Sequence, residues 1–284
     1  MTTKSILPVL CCAILLLFSC KKDVSPAEQQ ALSSFSEDYY VEKTLPSLTP
    51  ISQSIDADIG GYLQALPASY ADHPGKRYPL LIFLQGTGGM GDGSIASLTQ
   101  IENGGIPGCL KRKTLPANFT VNGETYQFIY FTPQFKIWPG PSEVNDVVNF
   151  AMKKFRVDSS KVYITGLSMG GGVLWNYAAA YGNRLAAIVP ISGASGPDAN
   201  QALEIAQSGV CIWAFHNDGD PRVPVYYTQE WVKLINLDSP RVPARMTIFD
   251  ADKHNAWSAA YDTAYKEHGQ NIFEWMLSKH DIHY

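Results

Sequence analysis

The sequence predicts an α/β fold: a mostly parallel central sheet with helices on both faces. Three observations carry this. Short apolar runs suited to buried strands alternate along the chain with segments whose apolar residues recur at helical spacing. One run, residues 78–84, is apolar without interruption, as a strand covered on both faces should be. A third segment passes from a β-branched run (162–165) through Gly166-Leu-Ser-Met-Gly170 into an Ala-rich helical stretch (173–181). Its strand–turn–helix order is the connection a parallel sheet requires. The chain has 284 residues, which fits one large domain better than two small ones.

The N-terminus reads as a targeting segment rather than part of the fold. Lys4 is a positive flank, and residues 6–18 are apolar but too short to span a membrane, which takes about 20 residues. Leu17-Phe-Ser-Cys20, followed at once by Lys21-Lys-Asp, resembles a bacterial lipobox. In such a box the cysteine is lipidated and becomes the mature N-terminus. Residues 1–20 are therefore expected to be a lipoprotein signal peptide, with Cys20 the lipid-bearing residue. The expected location is extracytoplasmic, anchored by lipid to a bacterial membrane, in the periplasm or at the cell surface. A plain signal peptide cleaved nearby gives the same compartment. Residues 21–45 read as a polar, flexible tether and 46–284 as the catalytic domain.

Within that domain, residues 51–56 and 60–66 are expected to be short strands and 67–75 a surface turn that leaves His73 in solvent. The buried strand 78–84 runs into a glycine-rich loop, 85–93. Residues 101–110, with Gly104-Gly-Ile-Pro-Gly108, read as irregular. Residues 127–132 form the next strand. Ser142 is a candidate N-cap for a helix carrying Val144, Val147, Val148, Ala151, Met152 and Phe155 on one face. After the Gly166–Gly170 turn, strands are expected at 185–191, 210–215 and 245–249. Helices are expected at 198–207, 225–237 and 256–279, the last broken near Gly269.

Net charge is −4 and the basic residues are scattered, so nothing points to nucleic acid as a partner. Cys11 and Cys12 lie in the signal segment. Cys109 and Cys211 remain, and they read as two free, mostly buried thiols rather than a disulfide. No cysteine pair has metal-ligand spacing, so no zinc site is expected.

The chemistry concentrates after the strands. In its strand–turn–helix setting, Gly166-Leu-Ser168-Met-Gly170 reads as a nucleophile elbow. A serine hydroxyl is a weak nucleophile at neutral pH. It needs a general base, usually histidine, and the base needs an orienting carboxylate. Downstream, Phe215-His-Asn-Asp-Gly-Asp220 and Asp250-Ala-Asp-Lys-His254 each follow a strand. His216 precedes the acidic loop, and His268, His280 and His283 lie on or beyond the last helical segment. His254 is therefore the candidate base. Asp218 and Asp220 both remain open as its partner on composition alone. The loop 85–93 lacks the Gly-Lys-Ser/Thr of a Walker loop, and a dinucleotide fingerprint is not clear either.

Four stretches in this order resemble one family: Leu80-Leu-Ile-Phe-Leu-Gln-Gly86, Gly166-Leu-Ser-Met-Gly-Gly171, Trp213-Ala-Phe-His-Asn-Asp-Gly-Asp-Pro-Arg-Val-Pro224 and His254-Asn-Ala-Trp257. It is the secreted α/β-hydrolase esterases, grouped with feruloyl and acetylxylan esterases and polyhydroxybutyrate depolymerases, with a prolyl-oligopeptidase-like branch. The resemblance implies the α/β-hydrolase fold, Ser168 as nucleophile, Asp220 as acid and His254 as base. It also implies an oxyanion hole made by the backbone N–H groups of Thr87 and Met169. It implies ester substrates, small or carried on acylated plant polysaccharides, and no metal or organic cofactor. A serine peptidase and a non-catalytic glycan-binding surface lipoprotein are the rival functions.

Two positions depart from the family pattern. Gln85 stands where a histidine is usual, which implies altered substrate preference. Asn217 stands where a glycine is usual, and Asn tolerates the positive φ that such a turn would use. Gln85, Trp138 and Trp257 are the substrate-binding candidates. Trp138 would flank the pocket or pack under a loop. Trp257 would border the substrate or steady the histidine loop.

Overall fold

The computed structural model describes residues 40–280. The expected signal peptide, Cys20 and His283 lie outside the described residues. The apolar runs become strands β1 (Thr49–Ile51), β2 (Ile59–Ala65), β3 (Tyr78–Leu84), β4 (Phe119–Val121), β5 (Glu124–Tyr126), β6 (Ile129–Phe135), β7 (Val157–Leu167), β8 (Ala187–Ile191), β9 (Cys211–Asn217) and β10 (Arg245–Phe249). The helices between them are α1 (Ile95–Ile101), α2 (Gly105–Lys111), α3 (Pro141–Lys154), α4 (Met169–Tyr181), α5 (Ala199–Ser208), α6 (Tyr226–Leu237), α7 (Trp257–Ala260) and α8 (Ile272–Leu277).

The main sheet has the order β1-β2-β6-β3-β7-β8-β9-β10. β1, β2 and β6 pair antiparallel, and from β6 to β10 every neighbouring pair is parallel. Successive side chains on a strand point to opposite faces, so each buried strand feeds two cores. Tyr78, Leu80, Ile82 and Leu84 of β3 enter one core with Val162 and Ile164 of β7 and helices α3 to α6. Leu81 and Phe83 enter the other, with Tyr163, Trp213, Phe215 and the apolar faces of α2 and α8. All seven residues of β3 are buried, which is why it reads as an unbroken apolar run.

The chain leaves β3 for β6 on one side and continues to β7 on the other, so the strand order reverses beside β3. At such a switch point the loops at the carboxyl ends of neighbouring strands part and leave a crevice. The loop after β3 and the turn after β7 open there.

Several expectations need correction. Residues 101–110 are not all irregular: α1 ends at Ile101 and α2 occupies Gly105–Lys111 despite two glycines and a proline. Burial of Ile106, Cys109 and Leu110 in the second core outweighs the weak propensity of Gly105, Pro107 and Gly108. The helix at 141–154 is capped not by Ser142 but by Gly140, whose N–H donates to Glu143 at 2.8 Å, with Pro141 at the first turn. The expected long helix at 256–279 is only α7 and α8. Between them His268 and Gly269 take positive φ, 51° and 81°, and break it. The hairpin β4–β5 turns on Asn122-Gly123, both at positive φ, a signal present in the sequence. His73 is not left in open solvent: its ring lies 4.6 Å from that of Tyr40.

Tyr40 and Glu42, at the end of the expected tether, are bonded to the domain, while Val41, Lys43 and Thr44 are exposed. Glu42 is buried and accepts hydrogen bonds from the Ser69 N–H and hydroxyl, at 2.9 and 2.6 Å. Asn118 brackets the same residue, accepting from its N–H and donating to its carbonyl. Cys109 and Cys211 are free and buried, on different elements.

Candidate active site

Ser168 sits between β7 and α4 with φ 53° and ψ −115°. For a residue with a Cβ this is a strained conformation, and it persists only where the surroundings hold it. Here the holding contacts are backbone hydrogen bonds. The Ser168 N–H donates to the Ile191 carbonyl at 2.9 Å, and the Ser168 carbonyl accepts from Gly172 and Ala194, both at 2.9 Å. Gly170 donates to the Gln85 carbonyl at 3.1 Å, which pins α4 to the end of β3. A Cβ on Gly170 would lie 2.2 Å from the Leu84 carbonyl oxygen, so the approach requires glycine.

The structure brings Ser168, His254 and Asp220 together from three loops. Ser168 Oγ lies 2.9 Å from His254 Nε2, and His254 Nδ1 lies 2.7 Å from Asp220 Oδ2. With the carboxylate ionised, Nδ1 carries the proton and donates it to Asp220, leaving Nε2 bare to accept from the serine hydroxyl. The Asp220 side chain is fully buried. Burial alone would push its carboxyl up. Hydrogen bonds from His254 and from the backbone N–H groups of Val223 and Arg222 outweigh burial and hold it below the ordinary carboxylate value. Asp218 behaves differently. It is exposed, and its Oδ1 accepts from the Gly219 and Ala251 N–H groups. Of the two aspartates, Asp220, the one the family resemblance implies, lies within hydrogen-bond distance of His254.

Asn217 does not take positive φ, contrary to expectation: it is the last residue of β9. Its side chain has another use. Nδ2 donates to the Lys253 carbonyl at 2.5 Å, tying the Asp220 loop to the His254 loop. A glycine there could not make that bond.

The turn after β3 runs directly past the serine: a Cβ built on Gly86 would lie 3.5 Å from the Ser168 Cβ. No acceptor among the described residues takes the N–H of Thr87 or of Met169. Two such donors, on the residue after Ser168 and on the turn that passes it, are of the kind an oxyanion would need. Gln134 was not anticipated as a site residue. It is buried at the end of β6, donates to the Gly89 and Ser97 carbonyls and accepts from the Gly93 N–H, and so fixes the glycine-rich loop from behind. Its only sequence signal is a polar residue near the end of a mostly apolar strand.

A cavity of about 240 Å³ opens beside this turn, lined by Phe83, Gln85, Gly86, Ile101, Leu167 and Trp257 among others. Gln85 is nearly fully buried. Its amide donates to the Gly89 carbonyl at 2.7 Å, and its Oε1 has no hydrogen-bond partner among the described residues. Trp257 meets the His254 ring edge-on, centroids 5.1 Å apart, and also borders a second cavity of about 530 Å³ along α2. Trp138 is half exposed on the loop before α3 and lines neither cavity.

No protein-family model and no curated protein sequence matches the chain. Solved structures do. A thermostable esterase superposes with a TM-score of 0.61 at 21% identity over 83% of this chain, which spans 63% of that protein's length. A ferulic acid esterase gives 0.52 at 17% identity, covering 75% of this chain and 91% of that one. A Klebsiella pneumoniae protein assigned as a dienelactone hydrolase gives 0.53 at 15%, covering 82% and 96%. Likeness at these identities speaks to architecture, and with the parallel sheet and its switch point it establishes that this chain has the α/β-hydrolase fold.

Proposed function

We propose that the protein is an extracytoplasmic serine hydrolase that cleaves carboxylic esters through an acyl-enzyme, anchored to its membrane by lipid on Cys20. The single observation that carries the catalytic reading is the hydrogen-bonded series Ser168–His254–Asp220. In the reaction, Ser168 Oγ attacks the ester carbonyl carbon and its proton passes to His254 Nε2. The carbonyl oxygen takes the negative charge, facing the free N–H groups of Thr87 and Met169. The tetrahedral species collapses as the carbon–oxygen bond to the alcohol breaks, and His254 returns the proton to the departing oxygen. Water then repeats the sequence: His254 takes its proton, the hydroxide carbon–oxygen bond forms, and Ser168 leaves with the proton. Asp220 stays ionised throughout and stabilises the imidazolium.

The family resemblance supports carboxylic esters as the substrate class, small or carried on acylated plant polysaccharides. The cavity wall of Phe83, Ile101, Leu167 and Trp257 suits an apolar acyl chain of modest size. The test compares kcat/KM on short acyl esters, acetylated and feruloylated xylo-oligosaccharides, and peptide amides. Esters should exceed amides, with acylated oligosaccharides among the best. Preference for amides would favour a serine peptidase, and binding without turnover a non-catalytic glycan-binding protein.

A further inference from the structure

The buried histidine behind the triad has a partner that the three-residue scheme leaves out. His216 is fully buried at the end of β9. Its Nε2 lies 3.0 Å from the Val223 carbonyl, a group that can only accept. Nε2 therefore carries a hydrogen. The same nitrogen lies 3.4 Å from Asp220 Oδ2, the very oxygen that His254 Nδ1 contacts. On the other side of the ring, Nδ1 is 2.8 Å from the buried Thr228 hydroxyl of α6, which donates to it.

We infer that His216 is a positioning residue for the reaction, which holds the Asp220 carboxylate from behind by sharing its Nε2–H between Val223 and Asp220. This rests on the serine hydrolase reading above. Asp220 then has all its neighbours assigned. Oδ1 accepts from the Arg222 and Val223 N–H groups, while Oδ2 accepts from His254 in front and faces His216 behind. A carboxylate so surrounded cannot swing, and the direction of the His254 ring follows from it. The titratable groups that face His216 are Asp220 and His254. Burial keeps the imidazole below the ordinary histidine value, although the Val223 carbonyl and Asp220 pull the other way. His216 thus acts as a neutral donor and adds no charge to compete with His254.

The test uses the folded protein and counts active sites with a fluorophosphonate probe, so that misfolded material does not enter kcat. His216→Leu removes the donor. It should lower kcat per titrated site about 10–100-fold while KM moves less than about twofold. With one donor fewer, more of the Asp220 charge acts on the imidazolium, so the acid limb of the kcat/KM profile should move up by about half a pH unit. His216→Gln can return an N–H near the Nε2 position and should recover to within about threefold of wild type, whereas the shorter His216→Asn should not. If His216→Leu does not fold, the Gln and Asn pair decides. Unchanged kcat per site and an unmoved acid limb in His216→Leu, or Gln and Asn equally active, would overturn the assignment and leave the hydrolase reading intact. A wild-type protein that neither takes the probe nor turns over esters overturns both.

Discussion

Asp218 and Asp220 are two residues apart, and nothing in composition separates them. The fold does: Asp220 is buried against His254, and Asp218 faces solvent and caps its own turn. Replacing Asp220 by Asn should leave the imidazole in the wrong tautomer and reduce kcat roughly 10²–10⁴-fold. Asp218→Asn should cost less than about tenfold. Both are checked on one ester, with a thermal melt to confirm folding. Asp220 was legible only through the family resemblance, which places the acid three residues before Val223, with Pro221 restricting the backbone of the residue before it. Asn217 was not legible in the same way. Its value lies in the Lys253 carbonyl it reaches, 36 residues away, and no local pattern encodes that contact. Trp138 has no comparable signal: an aromatic after a strand end could flank a pocket or pack under a loop, and it stands half exposed, so packing under a loop is the alternative the fold does not use.

At the level of elements, the elbow carries the site. α4 begins directly after Ser168, and the Gly170 N–H in its first turn is tied to the Gln85 carbonyl at the end of β3. Gly170 allows α4 to approach the end of β3. Gly170→Ala should drive a methyl into the Leu84 carbonyl, destabilise the protein by about 1–3 kcal/mol and cut activity with it. That corresponds to a melting point lower by about 2–4 °C per kcal/mol. A fully active variant with an unchanged melt would mean that α4 has room to spare. The strands were the most readable elements, since short apolar runs mark them and β3 and β10 have the expected bounds. The helices beside the site were the least. α2 is held by burial, against the preferences of Gly105, Pro107 and Gly108, and although the expected break at Gly269 is present, only Trp257–Ala260 and Ile272–Leu277 of the C-terminal segment are helical.

For the whole molecule, alternation of strands and helices was enough to predict a parallel sheet covered on two faces. It did not give the strand order, which arises from pairings between distant residues and puts β3 at the switch point. The buried groups around the triad also set how stability responds to acid. His216 is held below the ordinary histidine value in the fold, so the unfolded chain takes up a proton first. Its contribution is fully present above about pH 6.5 and is lost as pH falls below that value. Asp220 is also held low, so its contribution persists until pH falls below about 4 and is lost as the folded carboxylate protonates. Melting temperature should therefore decline from pH 7 to pH 5, and His216→Gln should flatten that slope. Melts that are flat over this range in the wild type would contradict the burial of a neutral His216. Localisation is tested separately: mass spectrometry of membrane-extracted protein should find diacylglycerol on Cys20, and a mature chain that starts elsewhere without lipid would remove the anchor while leaving the chemistry.

The central claim is that Ser168 forms a covalent acyl intermediate with the help of His254. The most direct measurement treats wild type and Ser168→Ala with a fluorophosphonate, locates the adduct by mass spectrometry and follows turnover of a short acyl ester in the same samples. The claim predicts one adduct, on Ser168, and turnover lost with it in the Ala variant while the melt is retained. Undiminished ester hydrolysis by Ser168→Ala, or an adduct on another residue, would contradict it.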